Sequence, residues 1–267
     1  MPQHCKAATI FAASCALAAC GGGSGSADSN GGPSAPPTAN YSALTAFADG
    51  GGVGRGVDED GGQLVFIGPD ITEAIAQLND QSQDDLADID IEDFPIVQVF
   101  DNDANLREGA ISVEGFTFNV TIVEDAGGQA GIFLFEDPGF SNILMAGGTG
   151  VGSLPAGTFT YSGTLATGLR SANPQAEFGE FVLLADFNSG NFDFDGATLS
   201  DTVSGSGTID SSSGTIASNN MEMNTSGVER SATMYGQFHG NQAESVSGVF
   251  HSNEPTPVYA GGFAGSR

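Results

Sequence analysis

Beyond its first few residues the chain carries two histidines, His239 and His251. Imidazole is the side chain best suited to proton transfer or metal ligation at neutral pH, so these two are where chemistry would start. Each follows a phenylalanine, Phe238 and Phe250. If those phenylalanines point into a core, side-chain alternation turns both imidazoles outward, near the turn ends of adjacent strands. There they are the chain's candidates for ligating a haem iron, and otherwise two exposed histidines at strand ends. A Ser-His-Asp hydrolase would need a positioned nucleophile, and no G-x-S-x-G elbow supplies one. The chain reads as a protein that is not an enzyme, with no catalytic residues.

Carboxylates are the other reactive groups. Asp101-Asn102-Asp103-Ala104-Asn105 places oxygens at positions 1, 3 and 5 of a calcium loop, but Leu106 stands where the sharp turn needs glycine and Ser112 where a bidentate Glu should close the site. A hairpin loop is the better reading. Residues 80–93 hold Asp80, Asp84, Asp85, Asp88, Asp90, Glu92 and Asp93, which mutual repulsion should keep open and solvated. Asp186, Asp193 and Asp195 surround Asn188-Ser189-Gly190, where a tight hairpin needing positive φ explains the composition without a cation. No His/Cys cluster has zinc spacing. Neither a metal nor a cofactor is expected.

All three cysteines, Cys5, Cys15 and Cys20, lie near the start, leaving the remainder without a disulfide, a thiolate site or a thiol nucleophile. Residues 7–20 form a short apolar run behind Lys6, the form of a secretory signal. Its end, Leu17-Ala18-Ala19-Cys20, resembles the bacterial lipobox. The resemblance implies a lipoprotein signal peptide over 1–19 and lipid attachment at Cys20, with acyl chains anchoring the protein to a membrane. Gly21 rather than Asp follows the cysteine, which favours the outer membrane. Residues 20–40, rich in Gly, Ser and Pro, form a lipidated tether with a reach of about 25 Å.

The elements that must position these groups are strands. With 40 glycines, no tryptophan and many Ser/Thr, the composition is that of an all-β protein. Lys plus Arg number 6 against 33 Asp plus Glu, for a net charge of −27. So acidic a surface repels phosphate backbones and anionic lipid, so nucleic acid is excluded as a partner. Over 41–150 the sequence predicts strands at Leu64–Ile67, Pro95–Phe100, Ile111–Val123, Gly131–Phe135 and Asn142–Met145. Asp70 to Glu73 has capping-box spacing, and Ile71, Ala74, Ile75 and Leu78 follow at helical intervals, predicting one short helix.

From 151 to 267 the rhythm changes to eight segments about twelve residues apart, the pattern of a meander. They are 157–165, 179–188, 191–199, 202–209, 214–223, 231–239, 245–251 and 257–264. In the first, Phe159, Tyr161, Gly163 and Leu165 share one face while Thr158, Thr160, Ser162 and Thr164 share the other. A transmembrane barrel would turn its apolar face to lipid and carry aromatic girdles. Here the apolar face must point inward. An eight-stranded barrel encloses just enough room for side chains or one small ligand, and the many Phe, Leu, Met and Val predict that side chains fill it.

Two stretches carry a family likeness. Gly236-Gln237-Phe238-His239-Gly240, Ala243-Glu244 and Gly248-Val249-Phe250, with the Gly-Phe-rich finish at 262–267, resemble the closing strands of the transferrin-binding protein B β-barrel and of the transferrin-binding protein-like solute-binding lipoproteins. Leu184-Ala185-Asp186-Phe187 through Gly190 to Phe192 resembles a hairpin of the same family. The resemblance implies an eight-stranded antiparallel up-and-down barrel over 151–267, preceded over 41–150 by a smaller strand-rich handle. It also implies an acidic, lipid-anchored outer-membrane protein, exposed at the cell surface, that captures a host or environmental protein or an iron or haem carrier. The alternatives are a structural or protective surface lipoprotein with no small ligand, and a lipocalin-like carrier with an empty interior.

Overall fold

The computed structural model describes residues 53–57, 63–67, 94–113, 116–136, 143–170, 176–253 and 259–267. The lipobox, the tether, the carboxylate-rich 80–93 stretch and the helix expected near 70–78 lie outside the described residues. Every regular element among those described is a strand.

A seven-stranded antiparallel sheet is built from β1 (Val53–Val57), β2 (Gln63–Ile67), β3 (Ile96–Val99), β4 (Asn105–Val113), β5 (Phe116–Glu124), β6 (Ala130–Glu136) and β7 (Ile143–Gly148). Its order is β2-β1-β7-β6-β5-β4-β3. Two expectations change here. The single strand expected over 111–123 is the meeting of β4 and β5, which pair from Val113↔Phe116 outward. Alternation on both sides of Glu114-Gly115 read as one run because only two residues separate the strands. The glycine-rich stretch before Leu64, where the sequence predicts no strand, contributes β1, which β7 pairs along its whole length. Pairing along a neighbour's backbone overrides the low strand propensity of glycine.

The remaining strands close on themselves. They are β8 (Thr158–Arg170), β9 (Glu177–Asp186), β10 (Asn191–Ala197), β11 (Asp201–Ile209), β12 (Thr215–Thr225), β13 (Val228–His239), β14 (Ser245–Ser252) and β15 (Tyr259–Ser266). Each pairs antiparallel with the next, and β15 returns to β8 to complete an eight-stranded closed barrel. The fold class expected from the sequence is the fold observed.

The barrel interior is full. Tyr161, Phe181, Phe192, Phe194, Phe238, Phe250 and Phe263 are all buried and converge in one cluster with Leu165, Met221, Met223 and Met234. Phe181 stacks on Phe194 with ring centres 5.4 Å apart, and Phe263 closes on both at 5.0 and 4.9 Å. Each such ring removed from water contributes about 2 to 3 kcal/mol, and pairs in these tilted and stacked geometries add somewhat more. At one end the Tyr161 hydroxyl donates to the Ala243 carbonyl at 2.6 Å, tying the barrel core to the β13–β14 turn, where Ala243 holds a φ of 59°.

The wet outer face expected around the barrel holds on β9, β10 and β12, where burial alternates residue by residue. It fails on β14, which is buried at every position. The reason is the first sheet, which lies against the outside of the barrel: Leu106, Val123, Ile132, Leu134, Leu144 and Ala146 form a second apolar cluster with Ala166, Val249, Ala260 and Ala264. Small residues on β15 allow the close approach. A Cβ built on Gly262 would stand 2.5 Å from the Ile132 side chain.

Candidate functional site

His239 and His251 do point away from the barrel core, but neither is exposed, at 0% and 7%. The sheet covers the wall that carries them. They are also far apart. In the β13–β14 register His239 pairs with Ser245 and His251 with Thr233, six steps along the hairpin, or about 20 Å. The structure does not bring them to one iron.

The surroundings of His239 define its state. Its Nδ1 lies 2.8 Å from the Thr149 carbonyl, and its Nε2 lies 2.8 Å from the Ser247 hydroxyl. A carbonyl can only accept, so Nδ1 carries the proton and Ser247 donates to Nε2. Burial pulls the imidazole down to about 4, against a smaller opposing effect of the Thr149 hydrogen bond. At Nε2 this is a Ser-His contact of catalytic length, but a triad it is not. Asp125, the buried carboxylate of this seam, accepts instead from Ser245 Oγ at 2.6 Å and from the backbone N–H groups of Gln129 and Ala130, each at 2.8 Å. Ser247 itself is 1% exposed, leaving no room for a substrate carbonyl beside it. Burial raises the Asp125 carboxyl above the ordinary range, opposed by its hydrogen bonds to Ser245, Ala130, Gln129 and Gly127. The network fastens the β5–β6 turn to the barrel wall.

His251 shares only the barrel wall with this network. Its Nδ1 lies 3.0 Å from the Ser252 carbonyl, and its Nε2 is buried without a hydrogen-bond partner.

The acidic stretches resolve into turns. Asn102 accepts from the Ala104 N–H, and its amide donates to Thr164 on the barrel, while Asp103 takes a φ of 61°. The 101–105 stretch is therefore the β3–β4 hairpin loop. Asp186 accepts from Ser189 Oγ at 2.8 Å and from the Asn188 N–H at 3.0 Å, interactions that hold its carboxyl below the usual range. Gly190 completes that turn at a φ of 71°, a conformation that favours glycine. Among the described residues no three His, Cys, Asp or Glu side chains gather as metal ligands.

What the barrel does offer is a concavity of about 750 Å³ on the outer wall of β9, β10 and β11. Its floor is two outward rows in register, Val182 beside Asp195 and Ser204, and Glu180 beside Ala197 and Thr202. Phe178 and Leu199 also line it, and none of the described lining residues is basic. Leu199 is 97% exposed at the tip of the β10–β11 turn, and Val182 on the floor is 48% exposed. The turn is nevertheless rigidly held. Glu177 accepts from Thr198 Oγ1 at 3.0 Å, from Ser200 Oγ at 2.7 Å and from the Ser200 N–H at 3.1 Å, and the Thr198 N–H donates to the Asp201 carbonyl at 2.9 Å. Leu199 is thus held in water by a fixed turn, beside a groove that carries Glu180 and Asp195. Sequence reasoning missed it. Leu199 sat at the end of an expected strand, and no local pattern marks a residue whose burial depends on a turn's exact length.

No protein-family model matches the chain, and no curated protein matches it. Solved structures do. A double mutant of transferrin-binding protein B from Haemophilus parasuis Hp5 aligns over 81% of this chain and 44% of its own, at 14% identity and a TM-score of 0.52. Isotype 1 transferrin-binding protein B from serogroup B Neisseria meningitidis covers 60% of this chain and 34% of its own, at 12% identity and a TM-score of 0.46. The haemoglobin receptor HpuA from Kingella denitrificans covers 65% of each chain, at 13% identity and a TM-score of 0.41. The chain spans less than half the length of the two transferrin-binding proteins. At 14% identity the likeness to the first of these is one of fold, and in fold the chain is a transferrin-binding protein B-like β-barrel protein.

Proposed function

We propose that this is a non-catalytic binding protein of the bacterial cell surface, anchored in the outer membrane through a lipid on Cys20 and held off it by residues 21–40. It captures a host or environmental protein, or an iron or haem carrier, on the outside of its barrel. The observation that carries this reading is the pairing of a packed interior with a fixed apolar contact on an outer wall. Seven buried aromatic rings occupy the space a lipocalin-like carrier would keep for its ligand, whereas Leu199 and Val182 face outward beside Glu180 and Asp195. Exposed apolar side chains preorganised in a rigid surround are the material of protein-binding hot spots. The transferrin-binding and haemoglobin-receptor names of the structural neighbours support the class of partner. Residues 1–19 act as the signal peptide, 41–150 as the handle and 151–267 as the binding barrel.

Immobilised full-length protein, challenged with host fluids and iron-limited growth medium, should retain a protein that an unrelated acidic lipoprotein does not. Retention of nothing above that control would reject the capture reading. Replacing Cys20 with Ser should abolish fatty-acid labelling and release the protein from the membrane fraction.

A further inference from the structure

A second surface has the opposite character to the outer-wall groove: it is an unfinished sheet. β3 is the last strand of the seven-stranded sheet, so among the described residues one side of its backbone has no neighbouring strand. Ile96, Val97 and Val99 are 48%, 50% and 58% exposed, and all four positions of the strand are exposed. Edge strands are commonly guarded by a charge on the strand, above all lysine. β3 carries none, and the only lysine of the whole chain is Lys6. The strand is short, with an irregularity between Ile96 and Gln98, so the pairing surface it offers centres on Gln98 and Val99.

The charges around this edge are negative. Asp101 and Asp103 follow it, and Glu108, on the neighbouring β4 and bonded through its N–H to the Pro95 carbonyl, is exposed as they are. Among the described residues the cation alongside is Arg107, opposite Ile96, and it is engaged: it donates to Glu124 at 3.2 Å and to the Phe94 carbonyl at 2.9 Å. A second copy of this chain would bring the same carboxylates and a net charge of −27 to the edge, which opposes self-pairing. An extended segment with apolar residues at alternate positions and lysine or arginine at its ends meets both requirements, because strand addition supplies main-chain hydrogen bonds while its side chains complement the apolar and acidic surround.

We propose that β3 is a docking edge for an extended, cationic segment of a partner protein, which adds to the sheet as an eighth strand. This site is distinct from the β9–β11 groove and does not depend on what that groove binds.

The test uses the full chain and three synthetic nine-residue peptides. One has a central Val-Thr-Val-Thr-Val run with two lysines at each end. The second has glutamates in place of the lysines, and the third is the lysine peptide N-methylated at alternate backbone positions. The lysine peptide should bind, slow amide exchange of the β3 backbone at least tenfold, and weaken as salt is raised. The glutamate and N-methylated peptides should bind at least tenfold more weakly. The V97K/V99K variant, altered only at exposed positions, should unfold at the unchanged temperature and lose at least tenfold in affinity for the lysine peptide. Equal binding by that variant, equal binding of the N-methylated peptide, or protection only outside β3 would overturn the proposal. So would self-association abolished by V97K/V99K, which would make a second copy the occupant.

Discussion

A neutral imidazole sealed beneath a sheet makes stability depend on acid. His239 titrates near 6.5 when unfolded and is pulled down to about 4 when folded. The unfolded chain therefore binds the extra proton first, so the contribution is whole above pH 6.5 and is lost as pH falls from there toward 4. The difference is worth about 3 kcal/mol. Urea unfolding of the wild type and of His239→Gln, followed from pH 7 to pH 4, should show the gap between them narrowing by about that amount, with parallel curves as the contradictory result. Tyr161 sets a second test. Replacing it with Phe leaves the Ala243 carbonyl buried without its donor, at a cost of about 1 to 3 kcal/mol, measurable as a lower denaturation midpoint at unchanged m-value. The residue-level chemistry was partly legible in the sequence. Alternation from Phe238 and Phe250 correctly turned both histidines out of the barrel, but outward and exposed are different properties. What covers His239 comes from a segment 90 positions earlier, just past the end of β7, as its contact with Thr149 shows.

At the scale of elements, the barrel strands were readable because one face of each had to be apolar and the pattern repeated eight times. Phe181, Leu183 and Ala185 against Glu180, Val182 and Leu184 show how the buried parity survives even where the outer residues are apolar too. The clue to the covering sheet was also present: apart from His251, the outward positions of the last two strands include Ser245, Ser247, Val249, Ala260, Gly262 and Ala264, uncharged and mostly small, whereas β10 shows Asp193 and Asp195. Ladder pairing alone could not reveal that difference, since the strand signal is the same on both walls. The docking of sheet on barrel depends on that smallness. Gly262→Val places methyl groups where Ile132 already stands and should cost about 1 to 3 kcal/mol. Amide exchange should accelerate first in β5–β7 and along β15, before the barrel core; uniform acceleration throughout would mean that the two layers do not separate.

For the whole molecule, a net charge of −27 spread over so many hydroxyl-rich strands implies self-repulsion in the folded state. Raising sodium chloride from about 0.05 to 0.5 M, across which the screening length shrinks from beyond 10 Å to a few Å, should raise the melting temperature; a fall would show that the acidic surface is not under strain from its own field. Among the described residues the outer-wall groove has no basic lining, so the partner proposed for it is one that brings cations. That groove is a property of assembled strands and one fixed turn, which is why its place escaped a linear reading while the barrel did not. The binding proposed is outside the barrel rather than within it. The direct measurement is retention of protein from host fluid by the wild type and by a variant carrying Leu199→Asp and Val182→Asp, both at exposed positions. The wild type should retain a partner that the variant loses at least tenfold, with the melting temperature unchanged; equal retention by both would contradict it.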